Sequence, residues 1–279
     1  MTIIVSQLRC GKPSPANHTH GDRKEMPVSP RPVLSSGAAK VDEYAATAGA
    51  YDLFAAPYRS VQLAALDELM PRLRPEVGPI LDIGAGSGVN AAVMLDRLSD
   101  ARVVALEPSR AMRSLILSRI AAHSEWYRRV TVRPEDFFSA SLPERIGGAI
   151  LLGVIGHFDP GERAAVLAEL AARLPEGGAA LLDLQQPERP RRVEPYEFTA
   201  ATIGELSYRG IAEAWPVDTE LMRWRMSYLC LEGERVLTED TAEYEYRHPA
   251  PAVVAVEAEA VGLSLVPLVD GVHWLVERA

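Results

Sequence analysis

The sequence predicts an α/β fold: a doubly wound, mostly parallel sheet with an antiparallel β insert late in the chain. Two observations predict it. From Pro79 to Leu184, five short apolar runs alternate with stretches of helical period, as in a parallel sheet covered on both faces. After residue 190 the period becomes two, the mark of half-buried antiparallel strands. Length and composition agree, since 279 residues at 48 % apolar can fill one large domain with an insertion.

Bulk properties also exclude. No apolar run reaches the 18 or so residues of a membrane span. The start, "MTIIVSQLRC", lacks a basic lead-in and makes a poor signal peptide. The expectation is a soluble, cytoplasmic protein. The net charge is −9, yet residues 1–40 hold six Lys/Arg against two Asp/Glu. The remainder is strongly acidic, which argues against a nucleic-acid track. Cys10 and Cys230 are far apart and in no metal-binding spacing, so neither a metal site nor a disulfide framework is expected.

Residues 1–40 are rich in Pro, Ser, Gly and charge and lack periodicity, and read as a disordered tail. His18 and His20 within it read as solvated side chains, not metal ligands. "VDEYAATAGAYDLFAAPYRSVQLAALDELMPRL" predicts two helices broken near Pro57, with Tyr44 seven positions before Tyr51 on one helical face. Pro79–Ile83 is the first strand and Val89–Leu98 its helix. "RVVALE" is the second strand, ending at Glu107, and Met112, Leu115, Ile116 and Ile120 line one face of the next helix. "VTV" and "GGAILLGVI" are the third and fourth strands. Asp159, Pro160 and Glu162 then form a helix start with a capping box. "GGAALLDL" is the fifth strand.

In Leu221–Leu231, Met222, Trp224, Met226, Tyr228 and Cys230 alternate with Arg223, Arg225 and Ser227. A turn near Glu232–Gly233 leads to Tyr244 and Tyr246, which alternate with Glu243 and Glu245. If Trp224 faces Tyr244, then Arg225 faces Glu243 and Arg223 faces Glu245, so one register satisfies both faces. "GELSYRGIAEAW" supplies a third strand of this insert, residues 190–248. A helix at Ala252–Val261 stops at Gly262. Leu263–Leu268 and Val272–Glu277 close the chain as a hairpin.

"PILDIGAGSGVNAAVML" places a carboxylate, Asp82, at the end of a buried strand and glycines at 84, 86 and 88 in the following turn. Such a turn brings backbone close to a ligand at a helix N-terminus. A dinucleotide fingerprint needs a third glycine where this chain has Val89, and Asp82 suits a ligand with a cationic end better than a pyrophosphate. Glu107, ending the second strand, sits where ribose hydroxyls are held in nucleotide folds, the alternative being a cap for the next helix. Asp136 in "EDFF" can accept from an adenine amine, with Phe137 or Phe138 packed on the ring.

"ILDIGAGSG", "VVALEPSRAM", "PEDF" and "LPEGGAALLDL" resemble the successive motifs of class I S-adenosylmethionine-dependent methyltransferases, over residues 41–279. The resemblance implies a seven-stranded sheet whose last strand is antiparallel. It implies a domain over 41–189 with lid helices, the insert over 190–248 as an acceptor cap, and 249–279 completing the sheet. It implies that Asp82, Gly84, Ala85, Gly86 and Gly88 hold the methionine part of the cofactor. Glu107, with Pro108, would hold the ribose, and Asp136, with Phe137, the adenine. Tyr58 and Gly153 are added as cofactor contacts, Tyr58 for the methionine carboxylate. A narrower likeness, in "AYDLF…YRS" and "VIGHF", is to antibiotic-pathway amino-sugar N-methyltransferases, with a layout partly shared by the glycine N-methyltransferases. It places His157 and Tyr51 at the acceptor.

Methyl transfer from a sulfonium is an in-line displacement, so the protein mainly aligns the nucleophile and excludes water. His157, after the fourth strand, suits proton transfer, the alternative being a hydrogen bond to the chain before Asp159. Tyr51 is expected to orient the acceptor or the donor carboxylate. Trp224, Tyr228, Tyr244 and Tyr246 read as the buried face of a sheet and are not placed in the site. The expected partner is a small-molecule methyl acceptor, an amine of specialised metabolism, with a homodimer left open. O- or C-methyl transfer on the same scaffold is the alternative, and an NAD-dependent oxidoreductase the alternative of another class.

Overall fold

The structure, a computed structural model, describes residues 42–278, and the expected tail over residues 1–40 lies outside the described residues. The helix break near Pro57 is present. α1 (Tyr51–Ala55) and α2 (Arg59–Leu69) are separated by a 3₁₀ turn at Ala56–Tyr58. The first helix does not extend back to Tyr44, which lies in a run of turns.

Five parallel strands and three helices follow. They comprise β1 (Ile80–Ile83), α3 (Val89–Arg97), β2 (Val103–Leu106), α4 (Arg110–Ala121), β3 (Val130–Arg133), β4 (Gly148–Leu151), α5 (Pro160–Arg173) and β5 (Ala179–Asp183). After an insert come α6 (Pro251–Glu259), β10 (Leu263–Pro267) and β11 (His273–Arg278). The main sheet has seven strands in the order β10-β11-β5-β4-β1-β2-β3. β11 alone runs against its neighbours β5 and β10.

Alternate residues of each strand feed two cores. Leu81, Ala149, Leu151, Ala180 and Leu182 pack against α5 and α6 through Val166, Leu170, Val254 and Ala258. Ile80, Val103, Ile150 and Leu181 pack against α2 and α3 through Leu66, Leu69, Met94 and Leu95. Burying each such side chain contributes about 1.5–3 kcal/mol, enough to fix which face each helix covers. α5 starts as expected, with the Asp159–Glu162 capping box formed.

The insert is one antiparallel sheet of four strands, not three: β6 (Val193–Ile203), β7 (Leu206–Pro216), β8 (Leu221–Glu232) and β9 (Arg235–Arg247), paired in that order. β6 escapes a sequence reading because it is an edge strand, mostly exposed, and contains Pro195, which edge strands tolerate. The β8–β9 register is the one the charges call for: Trp224 opposite Tyr244, Arg225 opposite Glu243, Arg223 opposite Glu245. Arg223 and Arg225 pair with those glutamates at 2.8 and 2.6 Å.

A buried cation fastens the insert to the body. Arg163 of α5, 1 % exposed, contacts Glu220 just before β8 at 3.0 Å and Glu257 of α6 at 2.9 Å. Hydrogen bonds and charge from both glutamates hold its guanidinium above its ordinary pKa, against burial, which acts the other way. Among the described residues no helix is long and apolar enough to cross a membrane, and no His/Cys/Asp/Glu group is arranged to hold a metal.

Candidate active site

Strand order reverses between β1 and β4, so the crevice at their carboxyl ends is where an open α/β sheet takes its ligand. The glycine turn leaves β1 there. Gly84, Gly86 and Gly88 all have left-handed φ, of 62°, 56° and 80°. A side chain at position 84 would also meet Val154 Cγ2 at 2.4 Å, so both backbone angle and space require glycine. Ala85 is buried beneath the turn against Ala105 and Ile116.

Two carboxylates flank this turn. Asp82 is 1 % exposed and its Oδ2 has no hydrogen-bond partner. Burial first, then the Glu107 charge, push its pKa up to about 7, against the Ala91 amide and the Arg59 charge. A buried carboxylate oxygen with no donor fits a ligand ammonium. Glu107 is also buried, and burial raises its pKa despite the amides that hold it. Its Oε2 accepts from the Gly86 N–H and its Oε1 from the Ser109 N–H, each at 2.7 Å. The helix cap is Ser109, whose Oγ accepts from Met112 N–H. Glu107 therefore does not cap α4; it is clamped between the glycine turn and the β2 terminus, with lone pairs left for a vicinal diol. Pro108 beside it is exposed and uses its carbonyl on Arg113.

The other proposed cofactor contacts fall less simply. Asp136 Oδ1 accepts from the N–H groups of Phe138 and Ser139, so it also shapes its own loop. Phe137 is in the core, while Phe138 is half exposed and stands edge-on to Phe158. Tyr58 donates to the Phe198 carbonyl of the insert at 3.2 Å. Its neighbour Arg59 reaches the turn instead, donating to Asn90 Oδ1 at 2.8 Å and the Val89 carbonyl at 2.9 Å. Arginine matches a carboxylate with paired donors, which a single phenol hydroxyl cannot.

On the β4 side, the Gly153 N–H donates to Asp183 Oδ1 at 2.7 Å. His157 ends a 3₁₀ turn after β4, and its Nε2 lies 3.1 Å from the Tyr44 hydroxyl. Asp159 caps α5 through its own capping box, so His157 is not needed for that task. Tyr51 meets Tyr44 edge-on with ring centroids 6.3 Å apart. These groups surround a cavity of about 100 Å³. Its far wall is the inner face of the insert, where Met226, Tyr228, Tyr244 and Tyr246 line it. Three of the four aromatics set aside in the sequence as a sheet face thus border the cavity. Trp224 does not: its indole N–H donates to His248 Nε2 at 3.1 Å. Because indole only donates, His248 carries its proton on Nδ1 and gives it to the Gln185 carbonyl, 3.0 Å away, steadying a residue of the cavity floor.

Burial raises the pKa of every cavity tyrosine: Tyr51 and Tyr228 are pushed up to about 12, and Tyr44, Tyr244 and Tyr246 rise as well. All stay neutral phenols near pH 7. The N-terminal segment packs on the glycine turn and α4, and its Tyr44 and Tyr51 line the cavity. Asp42 Oδ2 accepts from the Ala111 N–H at 3.0 Å, and Asp52 accepts from Ser87 Oγ and pairs with Arg119.

Residues 80–178 match a family described as a methyltransferase domain. No curated protein matches the chain. Among solved structures, DesVI of Streptomyces venezuelae superposes with a TM-score of 0.62 at 17 % identity, covering 85 % of this chain and 93 % of its own. CalS10 of Micromonospora echinaspora, described as an amino pentose methyltransferase of calicheamicin biosynthesis with S-adenosylmethionine bound, gives 0.63 at 18 %, covering 81 % and 97 %. KedS8 of a Streptoalloteichus species, described as a sugar N-methyltransferase, gives 0.60 at 19 %, covering 91 % and 99 %. At such identities these likenesses speak for the fold. The match over residues 80–178 favours group transfer over hydride transfer, and the sheet order and glycine turn agree with a methyltransferase fold.

Proposed function

We propose that the enzyme methylates the nitrogen of a small-molecule amine. The observation that carries the reading is the His157–Tyr44 pair beside a tyrosine-walled cavity, at the strand ends that also carry the glycine turn. The sugar N-methyltransferases of the same fold support it.

The cofactor supplies an activated methyl group on a sulfonium. The residues of the chain bind it and present the acceptor. Asp82 takes the methionine ammonium. Arg59, with the amides at the start of α3, takes its carboxylate, beside Tyr58. Glu107 takes the ribose diol, flanked by Pro108, and Asp136 the adenine amine. Phe138 offers the accessible ring against the base, with Phe137 behind it. Gly84, Ala85, Gly86, Gly88 and Gly153 let backbone approach. Residues 41–189 and 249–279 form the donor domain, and 190–248 cap the acceptor.

An amine reacts through its lone pair, so its proton must leave. Tyr44, a neutral phenol, cannot take it, and the His157 imidazole can. Tyr51, also neutral, orients the acceptor. The N-terminal segment excludes water from the transfer. The test is a screen with methyl-labelled cofactor against amine, phenol and carboxylic acid libraries. Transfer confined to amines is expected, and transfer only to phenols or acids overturns the reading.

A further inference from the structure

We propose that the cavity is a tyrosine cage for an alkylated ammonium head, so that the enzyme's acceptor is a secondary or tertiary amine. The proposal rests on the amine reading above and names the class of amine.

Size comes first. A space of about 100 Å³ holds roughly three waters, well under the ~300–1,000 Å³ of sites that enclose whole ligands. It accommodates a substituted nitrogen, with the rest of the acceptor outside.

Wall chemistry comes second. Tyr44, Tyr51, Tyr228, Tyr244 and Tyr246 face one space with Met226. Tyr44 and Tyr51 meet at 81°, and His157 meets Tyr246 at 87° with centroids 5.1 Å apart. Rings joined at right angles form a box, not a stack. Tyr228 is held rigid by stacking on Phe54 of α1 at 4.8 Å. A box of neutral phenol rings attracts a soft, weakly hydrated cation, and alkyl groups on nitrogen make such a cation. A bare –NH₃⁺ is more strongly hydrated and gains less from ring faces than an alkylated ammonium does. Glu43, exposed at the rim, adds the matching charge.

The cage also matches the electron flow. The nitrogen lone pair forms the new N–C bond while the S–C pair remains on sulfur, which becomes a neutral thioether. Positive charge thus appears on nitrogen inside the cage. An N–H proton, where one remains, passes to His157.

Calorimetry on the full chain, saturated with S-adenosylhomocysteine, tests this with two probes of similar shape: tetramethylammonium and neutral 2,2-dimethylpropan-1-ol. Tetramethylammonium is expected to bind about fivefold to thirtyfold more tightly, the range of one or two cation–π contacts. Tyr228→Phe should keep that preference and Tyr228→Leu should lose most of it. Equal affinities in the wild type overturn the cage, and that comparison stands even if Tyr228→Leu does not fold. The two failures are distinct: equal probe affinities with methyl transfer to amines intact sink only the cage, whereas probe preference without transfer to any amine sinks the reading beneath it.

Discussion

Tyr44 Oη and His157 Nε2 lie 3.1 Å apart, joining the N-terminal segment to the end of the fourth strand. In the proposed reaction this hydrogen bond links that segment to the proton acceptor. His157→Ala should lower turnover about a hundredfold or more, as loss of a general base does. Affinity for S-adenosylhomocysteine should stay within about threefold, under ~1 kcal/mol. Tyr44→Phe removes only the hydrogen bond and should cost about two- to tenfold in turnover. Near-normal turnover in His157→Ala would make the histidine structural, and collapse of cofactor binding would move it to the donor site.

Glu107→Ala should weaken S-adenosylhomocysteine binding by about 1.5–3 kcal/mol, because a charged acceptor is lost. The Gly86 and Ser109 amides lose their partner too, so Glu107→Gln, which keeps one acceptor oxygen, should lose less. Calorimetry measures both, and unchanged affinity in Glu107→Ala removes the ribose assignment.

Asp82 makes stability depend on pH. Its folded pKa of about 7 lies above the ordinary 3.8, so the folded state holds the proton more tightly. The resulting stability is full below about 3.8 and is lost as pH rises through about 7. Asp82→Asn removes the titration. Its melting temperature relative to wild type should rise from pH 5 to 7 and level off above, while its stabilisation by S-adenosylhomocysteine should shrink. A difference independent of pH would show that Asp82 is charged and satisfied in the fold.

Arg163→Met should destabilise the protein by about 3–5 kcal/mol, since it strands Glu220 and Glu257 without their cation. Urea unfolding measures it as a lower midpoint. A triple change that also replaces both glutamates by apolar residues should recover most of the loss.

The legible parts of this chain were those where independent signals converged. The β8–β9 register was readable because apolar and charged pairs demanded the same alignment. The α5 start was readable because Asp159, Pro160 and Glu162 act within one turn. β6 was not, because an exposed edge strand with a proline lacks alternation. Tyr44 was reached by the wrong route: helical spacing suggested its proximity to Tyr51, while turns deliver it. The cavity wall stayed ambiguous because a sheet face against a core and one against a ligand have the same pattern, and only the spatial meeting of Tyr228 with Tyr51 and His157 separates them.

The cavity-facing residues of β8 and β9 come from a stretch of chain spliced between β5 and α6, apart from the glycine turn and Glu107. Under the proposed assignment, mutation on that one face retunes which acceptor fits and leaves the donor contacts untouched. The two halves of the enzyme are thus free to diverge at different speeds, and exchanging Val193–Arg247 between related enzymes is the natural unit of a specificity transplant.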